Sequence, residues 1–299
     1  MLRVFLEVVL PVALVAVIGG AVGRWRGVPV APASALVFYL FSPALVFHSM
    51  ATTQVSADVS LRIVVVMVAT LLAMWGVAAA WSFARGHDSP FRAAFALGAT
   101  TPNQGNMGLP VAQLAFGAPG LEIAIMAFVV GATLTNTAGI AVASMAGGSR
   151  LEALRAPFRY PALYAAAAGV AVNALGLELP ATLDAPIRSL AAAAVPVMLV
   201  VLGLQLKAEG LGDDLLEIVA VNAMRLGVAP AASWLVASAV GLEGVTRSTL
   251  VVLAAMPTAV IATILATEFG ARPAFVTRVV VTSTLASMAS LTVLITLVQ

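Results

Sequence analysis

One stretch of eleven residues carries the side chains best suited to bind a ligand. It runs from Thr100 to Pro110, inside an apolar segment, and contains three amide side chains. Its helix-breaking residues are Pro102, Gly105, Gly108 and Pro110. Proline removes a backbone donor and glycine permits unusual backbone angles. Backbone groups freed in hydrocarbon need protein or water partners, so this stretch predicts an unwound helix facing a polar cavity.

A weaker version of the pattern occurs at residues 254–258, where Pro257 is the helix-breaking residue. Two broken helices present N-terminal ends at mid-membrane, where free N–H groups and partial positive charge favour an anion. Amide side chains would add donors to that site. The candidate substrate-binding residues are Asn103, Gln104, Asn106 and Thr258. The alternative is a pair of proline kinks that only shape helix packing.

Four further polar residues lie in apolar segments away from the breaks. Arg225 is costly at depth and is therefore a candidate for substrate binding. It could instead pair with the C-terminal end of a broken helix or extend to the membrane surface. Asn136 and Gln205 are candidates for lining a cavity or for bonding between helices. Histidine changes charge near neutral pH, so His48 is a candidate for proton coupling, against a purely structural role.

The motifs of several enzyme and metal-binding classes are absent from the sequence. It has no cysteine, zinc-protease motif, nucleophile elbow or phosphate-binding loop. We therefore expect no enzymatic activity, no metal site and no cofactor. Coupling to Na⁺ or H⁺ stays open, because unwound carbonyls and hydroxyls can hold sodium without a strong sequence motif.

The composition places these residues in a membrane protein. Of the 299 residues, 62% are hydrophobic and 9% are charged, whereas a soluble domain has about 25% charged residues. The mean hydropathy is +1.07. The net charge is only +2 and the basic residues are scattered, which argues against a nucleic-acid partner. We expect a polytopic α-helical protein whose surroundings are a lipid bilayer.

Ten apolar runs are long enough to be membrane-spanning helices. They cover residues 4–23, 33–53, 61–84, 92–116, 121–146, 160–176, 186–206, 215–240, 247–269 and 274–298. The first could be a secretory signal, but it contains Glu7 and lacks a convincing cleavage site. Lys and Arg concentrate in the odd-numbered connections. The positive-inside rule then places both termini outside a plasma membrane, which is the inner membrane in bacteria.

The two halves of the chain carry matching residues at a nearly constant interval. Pro257 follows Pro102 by 155 residues, Arg247 follows Arg92 by 155, and Pro196 follows Pro43 by 153. Five spans in each half is an odd number, so the second half enters from the opposite side. Inverted repeats of this kind recur in secondary transporters. We expect a first repeat over residues 1–148, a cytoplasmic linker over 149–159 and a second repeat over 160–299.

The fourth apolar run resembles the fourth-helix signature of the auxin efflux carrier family, which includes plant PIN-type carriers and bacterial dicarboxylate permeases. The matching residues are Pro102, Asn103, Met107, Gly108 and Pro110. Further similarity occurs at residues 41–47, 195–198, 203–206, 255–257 and 283–285.

This resemblance implies ten helices in two inverted five-helix repeats, with helices four and nine broken and crossing at Pro102 and Pro257. It also implies carboxylate substrates, a homodimer, and a scaffold of helices one, two, six and seven beside a moving bundle. The chain lacks the long central loop of the plant members. It also has Thr258 and Ala259 where they tend to carry glutamine and glycine. The substrate is therefore not transferred from the plant carriers.

These observations favour a secondary-active transporter or facilitator of small organic anions, such as malate- or malonate-like carboxylates. It would work by alternating access at the crossover of helices four and nine. Two alternatives stay open. One is a sodium-coupled symporter of the bile-acid type, which shares this architecture, and the other is a membrane sensor that binds its ligand without transport.

Overall fold

The structure is a computed structural model that describes residues 1–135, 160–205 and 214–299. These residues form eleven helices. The helices are α1 (Leu2–Arg26), α2 (Val30–Thr52), α3 (Ala57–Ala84), α4 (Ser89–Thr100), α5 (Gln104–Leu134), α6 (Pro161–Ala174), α7 (Ala181–Gln205), α8 (Leu215–Ala239), α9 (Gly244–Ala254), α10 (Ile261–Glu268) and α11 (Pro273–Val298).

Seven of these helices are long and apolar enough to cross a membrane, namely α1, α2, α3, α5, α7, α8 and α11. Two others, α6 and α9, are apolar but shorter. An all-helical integral membrane protein is thus confirmed for the described residues. The count of ten spans stays a prediction, and the predicted linker 149–159 lies outside the described residues.

The fourth and ninth predicted spans are both interrupted. Residues 101–103 separate α4 from α5, and residues 255–260 separate α9 from α10. The helix α5 continues past the end of the fourth predicted span into the fifth. Its one non-helical residue is Gly117, at φ 68° and ψ −155°, conformations that glycine adopts without steric cost. The two arms of α5 therefore belong to successive predicted spans.

Four helical segments in the described residues contain five-residue π-helical turns, and each of these turns ends two residues before a proline. The turns are Phe5–Val9, Val37–Phe41, Gln104–Gly108 and Met224–Val228, and the prolines are Pro11, Pro43, Pro110 and Pro230. A proline ring clashes with the carbonyl four residues earlier and offers it no donor. The wider turn relieves that clash while the helix continues.

The helices pack in two groups. One group, which we name the scaffold, consists of α1, α2, α6 and α7, with α1 against α7 and α2 against α6. The other group, which we name the bundle, consists of α3, α4, α5 and α8–α11, in which α8 contacts α3 and α9 while α9 contacts α5. Glycines bring the scaffold helices very close. A Cβ added to Gly203 of α7 would lie 1.8 Å from the Ala16 carbonyl oxygen of α1.

Candidate functional site

The two helix breaks meet in the interior of the protein. Pro102 and Thr258 form an isolated antiparallel bridge. The backbone N–H of Asn103 donates to the Pro257 oxygen at 2.7 Å, and the Ala259 N–H donates to the Thr101 oxygen at 2.9 Å. Each break therefore satisfies backbone groups that the other has freed, as backbone inside a membrane requires.

The two helices that begin after the breaks direct their N-terminal ends at one cavity. The first N–H groups of a helix have no intrahelical acceptor. Gly105 and Asn106 at the start of α5, and Val260 and Ile261 at the start of α10, all line this cavity. Two helix ends with partial positive charge thus converge on one space, which makes it suited to an anion.

The cavity has a volume of about 450 Å³ and lies between the scaffold and the bundle. Its lining extends from the breaks to Ala31 and Ser34 in the first turns of α2 and to Gln205 at the end of α7. These residues flank predicted connections that carry basic residues, which the positive-inside rule predicts to be cytoplasmic. Toward the opposite side, Glu122 of α5 accepts hydrogen bonds from the Thr53 hydroxyl and the Gln54 backbone N–H, just after the end of α2.

The three predicted amides take different positions in this site. Asn103 is 6% exposed and lines the cavity at the break itself. Gln104 lines it as well, and also a smaller cavity of about 40 Å³ on the bundle side. Asn106 donates to the Gln205 side-chain oxygen at 3.2 Å, and Gln205 donates to the Ser34 hydroxyl at 3.3 Å. This chain of hydrogen bonds joins α5 of the bundle to α7 and α2 of the scaffold.

Aromatic rings form the wall beside the amides. The Tyr160 ring lies 5.0 Å from the Phe38 ring and 6.3 Å from the Phe128 ring, measured between centroids. All three residues line the cavity, and no Lys or Arg is among its described lining residues. The site therefore offers backbone and amide donors above an apolar surface. The aromatic residues and Ser34 were not predicted, since isolated residues of these types leave no motif in the sequence.

Other predicted site residues lie away from this cavity. Thr258 is fully buried, with its hydroxyl donating to the Gly98 oxygen at 2.7 Å, so it supports the crossover. Arg225 lies in α8 behind the breaks and lines the smaller cavity. His48 is half-buried on α2 and is not among the cavity-lining residues that the structure describes. Asn136 lies outside the described residues.

The predicted helix-breaking glycines permit close packing at the crossover. A Cβ added to Gly108 would lie 2.8 Å from a Leu253 methyl group on α9, and one added to Gly105 would lie 2.9 Å from the Phe128 ring. Pro110 follows the π-helical turn Gln104–Gly108 of α5, and that wider turn relieves the clash of the proline ring with the preceding turn.

Comparison with known proteins shows the family to which the chain belongs. A family model described as "membrane transport protein" matches residues 4–295. The chain belongs to this family, which is that of the auxin efflux carriers. An uncharacterized transporter of Methanothermobacter thermautotrophicus is 30% identical over 253 residues, covering 83% of this chain and 82% of the relative. An uncharacterized transporter of Methanocaldococcus jannaschii is 26% identical over 171 residues, covering 56% of each chain. The predicted membership of the auxin efflux carrier family is thus confirmed, and the protein is a membrane transporter of that family.

Proposed function

We propose that the protein is a secondary-active transporter or facilitator of small organic anions, specifically carboxylates, and that the anion binds at the crossover. The observation that carries this proposal is the convergence of the α5 and α10 N-terminal ends on one cavity. A carboxylate there would accept hydrogen bonds from backbone N–H groups near Gly105 and Ile261 and from the side-chain amide of Asn103.

We further propose ten membrane-spanning helices in two inverted repeats. The pairing at the breaks supports this. The bridge joins Pro102 to Thr258. At the 155-residue interval the counterpart of Pro102 is Pro257, and the counterpart of Thr258 is Asn103. These two counterparts also contact each other, through the Asn103 N–H and the Pro257 oxygen. Exchanging the halves maps one of these residue pairs onto the other, as a two-fold axis between inverted repeats requires. The hydrogen bonds themselves differ, because the Thr258 N–H donates to the Ser283 hydroxyl.

Alternating access would occur by movement of the bundle against the scaffold. Among the described residues, the cavity lining extends between these groups from the breaks toward Ala31 and Gln205, while Glu122 accepts the Gln54 backbone N–H at the other end of α2. We assign this arrangement to an inward-facing state in a plasma membrane with both termini outside. A homodimer stays a prediction from the family resemblance.

The direct test is uptake of labelled mono- and dicarboxylates into proteoliposomes that contain the Asn103→Ala variant. Losing the amide at the break should reduce uptake at least about tenfold, since an unmet hydrogen bond to a charged group costs roughly 1.5–3 kcal/mol. The matched control is Asn222→Ala, which removes a bundle amide that bonds the Thr282 hydroxyl outside the cavity lining. Wild-type uptake by Asn103→Ala would overturn the site. Carboxylate binding by thermal shift without uptake would instead indicate a sensor.

A further inference from the structure

Arg225 connects the two broken helices at the ends opposite the anion site. It lies in the π-helical turn Met224–Val228 of α8 and is 2% exposed. One terminal nitrogen donates to the Ala99 oxygen at 2.6 Å and the other to the Ala254 oxygen at 2.5 Å. Ala99 lies in the last turn of α4, and Ala254 is the last residue of α9. The guanidinium therefore bonds the C-terminal ends of both helices that precede the breaks.

The charges at this contact balance. The C-terminal end of a helix carries about half a negative charge, so two such ends offset about one positive charge. Arginine keeps its charge at neutral pH. Within the described parts of the chain, Arg225 makes no ion pair with a carboxylate. A buried charge without compensation is strongly destabilising, so the two helix ends are its counter-charge.

The two acceptor oxygens are equivalent in the repeat. Ala254 follows Ala99 by 155 residues, the interval that also separates Pro257 from Pro102. The two terminal nitrogens of a guanidinium form a rigid planar fork, which suits two matching acceptors. One side chain thus holds the same carbonyl on each half of the crossover.

We propose that Arg225 is a built-in cation that holds the two breaks together, in place of a free monovalent metal ion bound at these carbonyls. Carbonyls at half-helix C-terminal ends are the groups that coordinate coupling cations in other transporters with broken helices. Here the tethered guanidinium occupies both of them. The inference rests on the proposed transport at the crossover, and it makes Arg225 a positioning residue that leaves transport independent of sodium.

Chemical rescue tests this role. Arg225→Ala removes the guanidinium beside the cavity of about 40 Å³ that Arg225, Thr70 and Gln104 line, so space opens for a small planar cation. We expect Arg225→Ala to lower the unfolding midpoint and to reduce uptake roughly tenfold or more. Millimolar guanidinium should restore much of both, whereas choline should restore neither.

The matched control is Arg62→Ala. The Arg62 guanidinium also donates to a carbonyl just after a helix, that of Val240 at 3.1 Å, but its side chain is 41% exposed. Guanidinium should leave this variant and the wild type unchanged. If added guanidinium rescues both alanine variants equally, or does not rescue Arg225→Ala, the proposal is overturned.

Two further measurements keep the proposal testable if Arg225→Ala does not fold. Arg225→Lys should be more stable than Arg225→Met, because the lysine keeps a cation near the two carbonyls, and equal stability overturns the role of charge. Wild-type uptake should be unchanged when choline replaces sodium, and a sodium requirement overturns the built-in cation. The unfolding midpoints need no substrate, so they report on Arg225 even if no carboxylate is transported and the proposed function fails.

Discussion

Asn106, at the start of α5, donates to Gln205, the last residue of α7, at 3.2 Å. This contact crosses from the bundle to the scaffold and continues to Ser34 on α2. Asn106, Gln205 and Ser34 all line the cavity. Because the contact joins the two groups of helices, we expect it to break when the bundle moves against the scaffold. We name the chain Asn106–Gln205–Ser34 the amide bridge.

Gln205→Leu should weaken the inward-facing state, because it removes both hydrogen bonds of the amide bridge at nearly constant volume. Only the bond from Asn106 to Gln205 joins the bundle to the scaffold, so only its loss affects the balance between the inward-facing and outward-facing states. A hydrogen bond contributes about 1 kcal/mol, so the ratio of these two states should change about fivefold. The readout is the rate at which a cysteine introduced in the cavity reacts with a maleimide. An unchanged rate, with Gln113→Leu on an exposed position of α5 as the control, would contradict the role of the bridge.

Single-cysteine labelling should show which side of the membrane the cavity reaches. The chain has no cysteine, so any introduced one is the only target. Ala35→Cys lies in the cavity lining, and Gln54→Cys lies just beyond the other end of α2, about 28 Å away along a helix. A membrane-impermeant maleimide should label Ala35→Cys from the cytoplasmic side and Gln54→Cys from the outside. Labelling of both from one side would contradict the assigned state.

Asp88 should make the stability of α4 depend on pH. Its carboxylate accepts the Phe91 backbone N–H at 2.9 Å and a hydrogen bond from Arg272 at 3.0 Å. The Phe91 hydrogen bond, supported by Arg272, holds the pKa of Asp88 below its ordinary value of 3.8. A carboxyl with a lowered folded-state pKa stabilises the fold above its unfolded pKa, and that contribution is lost as pH falls through the folded pKa.

Asp88→Ala should therefore have a lower unfolding midpoint than the wild type at about pH 7, and this gap should narrow below the ordinary carboxyl pKa of 3.8. The measurement is thermal unfolding in detergent across that range. Ser56→Ala is the control, since the Ser56 hydroxyl caps α3 by accepting the Val59 N–H and does not titrate. A gap for Asp88→Ala that stays constant with pH would count against this account.

Gly203→Ala should destabilise the scaffold. The added methyl would lie 1.8 Å from the Ala16 oxygen, so α1 and α7 would have to separate, at a cost of about 1–3 kcal/mol or more. Gly76→Ala on α3 is the control because its added Cβ meets no atom within 4 Å. It should be neutral or stabilising, since alanine favours helix by about 1 kcal/mol over glycine. Equal unfolding midpoints of the two variants would refute the close packing.

The helix breaks were predictable from the sequence because their cause is local. Pro102 and Pro257 disrupt helices wherever they occur, and the amides beside Pro102 indicate a polar surrounding. The sequence left three alternatives for Arg225, namely substrate binding, pairing with the C-terminal end of a broken helix, and extension to the membrane surface. Its acceptors, Ala99 and Ala254, are backbone oxygens of residues that no composition rule singles out.

Contacts between distant segments were not predictable for the same reason. Glu217 accepts from the Trp81 indole at 2.7 Å and from Arg85 at 3.0 Å, more than 130 residues earlier, and no periodic pattern relates these positions. Thr258 matches Asn103 in the repeat, yet its shorter side chain bonds within the bundle and does not reach the cavity. Symmetry of the backbone therefore does not guarantee symmetry of the side chains that face a ligand.

The positive helix ends at the cavity belong to the main chain, and this has a consequence for redesign. A substitution can change the shape of the wall formed by Phe38, Phe128 and Tyr160, but it leaves the α5 and α10 peptide dipoles in place. Preference for negative charge and selectivity for molecular shape are thus encoded by separate parts of the protein. Variant libraries directed at those three rings should change which anions are accepted while still rejecting cations.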